Sequence, residues 1–332
     1  MNSEIVKISY FLPEKVITNQ DMEKEFPEWT SDKIEDKIGI KERHITGIHE
    51  TALDIGFNAA EILFKEFDKS KVDFLLFCTQ SPDFFLPTSA CVMQERLGLK
   101  KSIGALDFNL GCSGFVYGLA LAKGVISSGI ASDVLLITSE TYSKYIHQKD
   151  KANRTIFGDG AAATLISKCE KEKILQFDLG TDGSGMNNLI VANGAMRNRN
   201  IKTAVEKFDN AGNTYSDDNL FMNGPEIFNF TINMIPVTIN NCLQKNNMTM
   251  DQLDYVIFHQ ANKFMLSHLR RKLGIPAEKF YINLENTGNT VSATIPIALK
   301  DCLNSGAIKK GDKVLLSGFG VGYSWGTTII EI

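Results

Sequence analysis

Apolar and polar positions along this chain fall into the same order twice. In the first half, "VDFLLFCTQ" (residues 72–80) reads as a buried strand, followed by "LGLKKSIGALDFNLGCSG", a helical run and "SSGIASDVLLITSE". In the second, "LDYVIFHQA" (residues 253–261) is followed by "LGIPAEKFYINLENTGNTVSA", a helical run and "NSGAIKKGDKVLLSGFG". Asp73 to Cys78 and Asp254 to His259 are both five positions, and Cys112 to Gly129 and Asn289 to Gly306 both seventeen. Gly98 to Cys112 is fourteen, against fifteen for Gly274 to Asn289. Buried strands alternating with helices, repeated at matching offsets, predict a layered α/β fold built from two duplicated halves, residues 1–170 and 171–332.

The repeat aligns chemistry as well as elements. Cys112 and Asn289 are equivalents, and His259 is the equivalent of Cys78, so all four fall at strand ends or strand-to-helix junctions. Packing two such halves together predicts that these points converge between them. Phe115, Leu119, Ala122 and Ile126 recur at helical spacing and predict a helix starting just after Cys112, with Gly118 and Gly124 allowing close packing on its neighbours. A cysteine at a helix start is expected to have its thiol pKa lowered from about 8.5 towards 7 by the helix dipole and free backbone amides. The flanking glycines would let a substrate carbonyl approach the sulfur.

Composition narrows the partners. The chain has 332 residues, 43% hydrophobic and 22% charged, with a net charge of -4 and no long basic run, which excludes an electrostatic footprint for nucleic acid or anionic membrane. Apolar runs are broken before the roughly 20 residues that a bilayer span needs, and "MNSEIVKISY" lacks a signal peptide's layout, so a cytoplasmic protein is expected. The six cysteines form neither a CxxC nor a Cys/His cluster, so no disulfide framework or metal site is expected.

Taken singly, each polar residue has a plain structural reading. Cys112 is a buried cysteine in a tight turn, His259 a satisfied histidine at a strand tip, and Asn289 a cap for the helix that follows. Taken together they suit a covalent acyl intermediate and stabilisation of a developing enolate or oxyanion. The glycine-rich stretches "FGDGAAATL" and "GFGVGYSWG" lack phosphate-loop spacing, so nucleotide binding is not expected. The second could aim a backbone amide at an acyl oxygen.

Across nearly its whole length the chain resembles the thiolase superfamily, and within it the β-ketoacyl-acyl carrier protein synthase III family. The motifs that carry the likeness are "GIKERHI" (39–45), "LPTSAC" (86–91), "GCSGF", "FGDGAAA", "HQAN" (259–262), "NTGNTVSATIP" and "GFGVGYSWGTTIIEI". The resemblance implies a five-layered αβαβα fold, a homodimer, no cofactor, and a catalytic trio of Cys112, His259 and Asn289. It implies loading of Cys112 from acyl-CoA, or from an acylated carrier, and decarboxylative condensation with malonyl-acyl carrier protein. The oxyanion would be held by backbone amides of Cys112 and Val321. Phe157, Phe319, Gly224, Ala261 and Asn262 match substrate-lining positions, and Lys263, Arg270, Arg271 and Lys272 form a basic patch for carrier docking, or a solvated helix face.

Departures from the family pattern bear on the donor. "TSDKIEDKIGI" has no tryptophan after the aspartate to stack on adenine, and Lys37 stands where an arginine is common; Lys151 falls at another expected basic contact. Leu86 replaces the phenylalanine that a partner subunit commonly inserts at the base of the acyl pocket, which implies a different or longer primer. The final glycine-rich loop lacks the second cysteine of a degradative thiolase, and nothing resembles a papain-like cysteine motif. The remaining alternative is a thiolase-fold acyltransferase that passes the Cys112-bound acyl group to an amine or alcohol.

Overall fold

A computed structural model describes residues 1–199, 204–209 and 211–332. The first half runs β1 (Asn2–Phe11), α1 (Ala52–Phe64), β2 (Phe74–Cys78), α2 (Ser89–Arg96), β3 (Gly104–Phe108), α3 (Gly114–Ser127), β4 (Asp133–Glu140) and β5 (Gly160–Cys169). The second runs β6 (Asp178–Thr181), α4 (Gly224–Lys245), β7 (Tyr255–Phe258), α5 (Lys263–Lys272), β8 (Phe280–Tyr281), α6 (Thr294–Asn304), β9 (Lys313–Gly320) and β10 (Ser324–Glu331). Apart from the shorter strands and helices inserted between them, the order of elements is the same.

So is the topology. The sheets are ordered β1-β5-β4-β2-β3 and β6-β10-β9-β7-β8. In each, the first three strands pair antiparallel and the last three parallel. Strand β2 shows why its sequence is apolar throughout: Leu75 and Phe77 pack under α1 and α2, while Leu76 faces the central helices, so both faces are buried. α3 and α6 lie between the sheets, packing Phe115, Leu119, Ile295 and Leu299 against Leu136 and Leu316. α4 and α5 cover the far side of the second sheet through Ile235, Ile239, Leu266 and Leu269. The result is five layers, α1 and α2, sheet, α3 and α6, sheet, α4 and α5.

α3 presents the expected face, with Phe115, Leu119, Ala122 and Ile126 each fully buried; at about 1.5–3 kcal/mol for each of the larger side chains this anchors the helix that follows Cys112. Gly118 is needed, since a Cβ there would lie 2.7 Å from Leu136. Gly124 is not, since nothing lies within 4 Å of the same atom. No helix among the described residues is long and apolar enough to cross a membrane.

Candidate active site

Cys112 lies in the link between β3 and α3, two residues before the helix begins. The loop closes on it from several sides. Ser113 Oγ is 2.6 Å from Ser324 Oγ, which ties the residue after Cys112 to the start of β10. A Cβ at Gly320 would sit 3.0 Å from both Cβ and Sγ of Cys112, one at Gly318 2.7 Å from the Cys112 carbonyl, and one at Gly114 2.4 Å from Cys78 Sγ. Gly318 and Gly320 thus bring β9 against Cys112, while of the two glycines that flank it Gly114 makes room for Cys78 and Gly111 for Gln80 and Val321.

His259 follows β7 directly, and its amide donates to the Ser317 carbonyl at 2.8 Å, continuing the parallel pairing of β7 with β9. Its ring meets Phe319 edge to face, centroids 5.7 Å apart. Nδ1 lies 2.7 Å from Thr294 Oγ1. Asn289 is stitched into the first half on both sides: its amide donates to the Ile156 carbonyl at 2.9 Å, and its carbonyl accepts from the Gly158 amide at 3.1 Å. Gly158 is required there, because a Cβ would lie 2.5 Å from the Thr287 carbonyl. The Asn289 side-chain oxygen accepts from the Val291 amide at 2.9 Å, and its NH2 meets no acceptor among the described residues. Val291 adopts φ +57°, an unusual conformation for a β-branched residue.

Cys112, His259 and Asn289 line one cavity of about 150 Å³. Phe157, Gly224, Ala261, Asn262 and Phe319 line it too, with Gly320 in place of Val321. Val321 and Leu86 border a neighbouring cavity of about 880 Å³, and Leu189 forms part of both walls. Asn262 also caps α5, accepting from the Met265 amide at 2.8 Å. Lys37 and Lys151 do not line the cavity. Lys151 pairs with Glu28 at 3.0 Å, and Lys37 rests over the ring of Trp29 at 5.5 Å with Lys33 beside it at 5.1 Å. An indole thus stands just before the "TSD" segment. Of the basic patch, Arg270 donates to the Ile275 carbonyl at 3.0 Å and Lys272 to the Ile232 carbonyl at 2.6 Å, so both have work in holding the fold. Lys263 lies along Gly39, and Arg271 is exposed.

The electrostatics correct one expectation. Burial, reinforced by the carboxyl of Glu140 and opposed by the residue's own backbone amide, pushes the Cys112 thiol up to about 12. Desolvation outweighs the helix dipole here. Burial likewise pushes His259 down to about 3, so the imidazole is neutral. Glu140, the last residue of β4, is itself fully buried and is pushed up to about 8 by that burial against hydrogen bonds from Gln80, Ser292 and Ser81. Ser292 Oγ donates to it at 2.9 Å, joining the segment that carries Asn289 to the half that carries Cys112. Sequence reading passes over Glu140, Val291, Ser292 and Thr294. "NTVSAT" shows hydroxyl residues beside Asn289, but the left-handed turn that gives them their partners leaves no mark in composition. Among the described residues, no group of three or more His, Cys, Asp or Glu is arranged to hold a metal.

An apolar cavity with a buried thiol, a neutral imidazole and a carboxamide NH2 suits acyl transfer through sulfur. Residues 106–183 match the sequence model of 3-oxoacyl-[acyl-carrier-protein] synthase III, and residues 243–332 that of its C-terminal region. The β-ketoacyl-[acyl-carrier-protein] synthase III of Clostridium perfringens is 34% identical over 100% of this chain and 99% of its own. Synthase III 2 of Halalkalibacterium halodurans is 36% identical over 99% and 96%. A 2.1 Å crystal structure of 3-oxoacyl-(acyl-carrier-protein) synthase III superposes with TM-score 0.98 at 44% identity, covering both chains completely. The 3-oxoacyl-(acyl-carrier protein) synthase of Burkholderia xenovorans gives 0.92 at 33%, covering 100% of this chain and 94% of that one. With the thiolase-like layers and likeness along its entire length, the chain belongs to the β-ketoacyl-[acyl-carrier-protein] synthase III family of condensing acyltransferases.

Proposed function

We propose that Cys112 carries the acyl group, received from acyl-CoA or an acylated carrier, and that condensation with malonyl-acyl carrier protein takes place at His259 and Asn289. The observation that carries this reading is the shared cavity: the sulfur, the imidazole and the carboxamide, drawn from opposite halves, line one apolar space. In the first step the sulfur bonds to the thioester carbonyl carbon, the bond to the departing thiol breaks, and the sulfur's proton ends on that thiol. Backbone amides of Cys112 and Val321 hold the oxyanion. In the second, the malonyl carbon–carboxylate bond breaks and its electrons move into the thioester oxygen as carbon dioxide leaves. Asn289 donates to that oxygen with His259 alongside, the Val291 amide on its side-chain oxygen fixing which end of the carboxamide is the NH2. The enolate carbon then bonds to the acyl carbon, and the cysteine sulfur leaves and regains a proton.

Phe157, Phe319, Gly224, Ala261 and Asn262 form the walls along which the thioester arm passes. Leu86, Val321 and Leu189 border the larger cavity that takes the primer's chain, and its size favours primers longer than acetyl. Lys37, with Trp29, and Lys151 stand ready for the donor's nucleotide, and Lys263 and Arg271 for an acidic carrier. A homodimer would cover the exposed Phe84, Phe85 and Leu86. The named relatives are synthases of the condensing family, which favours carbon–carbon bond formation over transfer to an amine or alcohol.

The test is intact-mass measurement after incubation with acetyl-, isobutyryl- and octanoyl-CoA. An acyl adduct that disappears in Cys112→Ala is expected, followed by carbon dioxide and a β-ketoacyl product when malonyl-carrier is added. No adduct with any donor, or one that survives Cys112→Ala, would end this reading.

A further inference from the structure

The stretch "GIKERHI" (39–45) takes no part in the chemistry above, yet it fastens the two halves together beside Asn289. The amides of Lys41 and Glu42 donate to the Glu285 carbonyl at 2.7 and 3.0 Å, in the segment that leads to Asn289, and the His44 carbonyl accepts from the Asp159 amide at 2.7 Å. Between these ties lies Arg43, the bulkiest of the fully buried side chains. Its guanidinium donates to neutral oxygens alone among the described residues: Nη1 to Asn19 Oδ1 at 2.8 Å and the Ile17 carbonyl at 3.4 Å, Nη2 to the Thr155 carbonyl at 2.6 Å. Burial pushes it down to about 10, with repulsion from Arg154 adding to that, and it stays charged at neutral pH. A buried charge without a counter-charge is costly. What the guanidinium holds explains its place.

Thr155 and Ile156 end the short helix Lys151–Ile156, and the last carbonyls of a helix have no donor within it. Two of them are taken up from outside. Arg43 Nη2 serves the Thr155 carbonyl, and the Asn289 amide serves the next, Ile156, at 2.9 Å. The Asn289 carbonyl then accepts from the Gly158 amide at 3.1 Å, so that its backbone pairs with Phe157 as a bridge of parallel strand. The stem of the arginine abuts the same place: a Cβ at Gly158 would lie 3.4 Å from Arg43 Cβ, and one at Gly288, where φ is +68°, 3.1 Å. Asn19 gives the guanidinium a firm rest, its own NH2 donating to the Ile40 carbonyl at 2.8 Å.

We propose that Arg43 is a positioning residue for the condensation step: by holding the helix end at Thr155 it fixes the seat of the Asn289 backbone, and so the point at which the Asn289 carboxamide meets the malonyl thioester oxygen. This inference rests on the function proposed above. Arg43 does not line the cavity shared by Cys112, His259 and Asn289, and it acts through the backbone between them. Cys112 is seated by other contacts, with Ser324 tied to its neighbour and Gly318 and Gly320 of β9 against it, so loading of the acyl group does not depend on this tie. Substitution at residue 43 therefore separates the two half-reactions. Lysine keeps the charge there but not the planar fork that serves Asn19 and Thr155 together.

The test compares wild type with Arg43→Lys and Arg43→Met, each alone and combined with Asn289→Ala, using whichever of acetyl-, isobutyryl- or octanoyl-CoA loads wild type fastest. Acyl-adduct formation should stay within about threefold of wild type, while carbon dioxide release from malonyl-carrier by the loaded enzyme should fall on the order of 100-fold in Arg43→Met and about tenfold in Arg43→Lys, the size of effect that a misplaced group produces. With Asn289→Ala already present, neither substitution at residue 43 should lower that release further, because losses that act through one group do not add. Arg43→Lys keeps charge and bulk, and carries the test if Arg43→Met does not fold. Wild-type carbon dioxide release in the folded variants, equal losses in both half-reactions, or losses that add to that of Asn289→Ala would overturn the proposal. Those results would leave the function standing, whereas absence of any Cys112 adduct in wild type would remove the function itself.

Discussion

At the scale of single residues, the site is governed by exclusion of water. A thiol held at about 12 is not the pre-ionised nucleophile that its place ahead of a helix implies. Alkylation of Cys112 by iodoacetamide should therefore keep rising with pH beyond pH 9, tenfold per unit, because reaction follows the thiolate fraction. A plateau below pH 8 in a rate-against-pH series would contradict the burial argument. Gly320 gives a second prediction. A methyl group there meets Cys112 at 3.0 Å, so Gly320→Ala should displace the sulfur and slow adduct formation by about tenfold or more, read from an intact-mass time course. Cys112, His259 and Asn289 were legible from sequence because the repeat puts them at equivalent junctions. Thr294 and Val291 were not, since their roles depend on one positive φ angle and on which hydrogen bonds survive burial.

At the scale of elements, the link between Asn289 and Thr294 behaves as a rigid part shared by the two halves. Glu140 anchors it, and its titration reports on that anchorage. The folded carboxyl binds its proton up to about pH 8, whereas an unfolded one releases it near 4.5. Between these values the folded state holds more protons, so this group's contribution to stability falls as pH rises. Urea unfolding of wild type from pH 4.5 to 8 should show that decline relative to Glu140→Gln, and parallel profiles would refute it. His259 acts in the other direction on the acid side: the unfolded ring takes a proton near 6.5 and the folded one only near 3, so its contribution is lost as pH drops through that range. Strands and helices were readable because burial on both faces of β2 and β7 demands continuous apolar runs, and one buried face of α3 demands helical spacing. Cation placement was less readable. Lys37 rests on Trp29 and Lys272 on a backbone carbonyl, since long basic side chains settle on whatever acceptor or ring is near.

At the scale of the whole molecule, the five layers follow from two copies of one strand order facing each other across α3 and α6. Sequence offsets exposed this because each copy must keep the spacing between its junctions. The outer surface was harder to read. Phe84, Phe85 and Leu86 are 56%, 65% and 86% exposed, a concentration of apolar side chains that calls for a cover. Sedimentation velocity should find a dimer for wild type, and Phe85→Asp combined with Leu86→Asp should shift it to monomer; a monomeric wild type would dismiss that assembly.

The matching but unequal junctions have a consequence for how such a protein changes over time. A symmetric pair of separate chains must alter both sides of its contact at once, because every substitution appears twice. Once the two copies are one polypeptide, that obligation ends. The position matching His259 holds Cys78, sealed from solvent with its sulfur donating to the Leu110 carbonyl at 3.1 Å, while the His259 side opens onto a chamber. One copy is then free to serve as packing at that spot while the other faces the cavity.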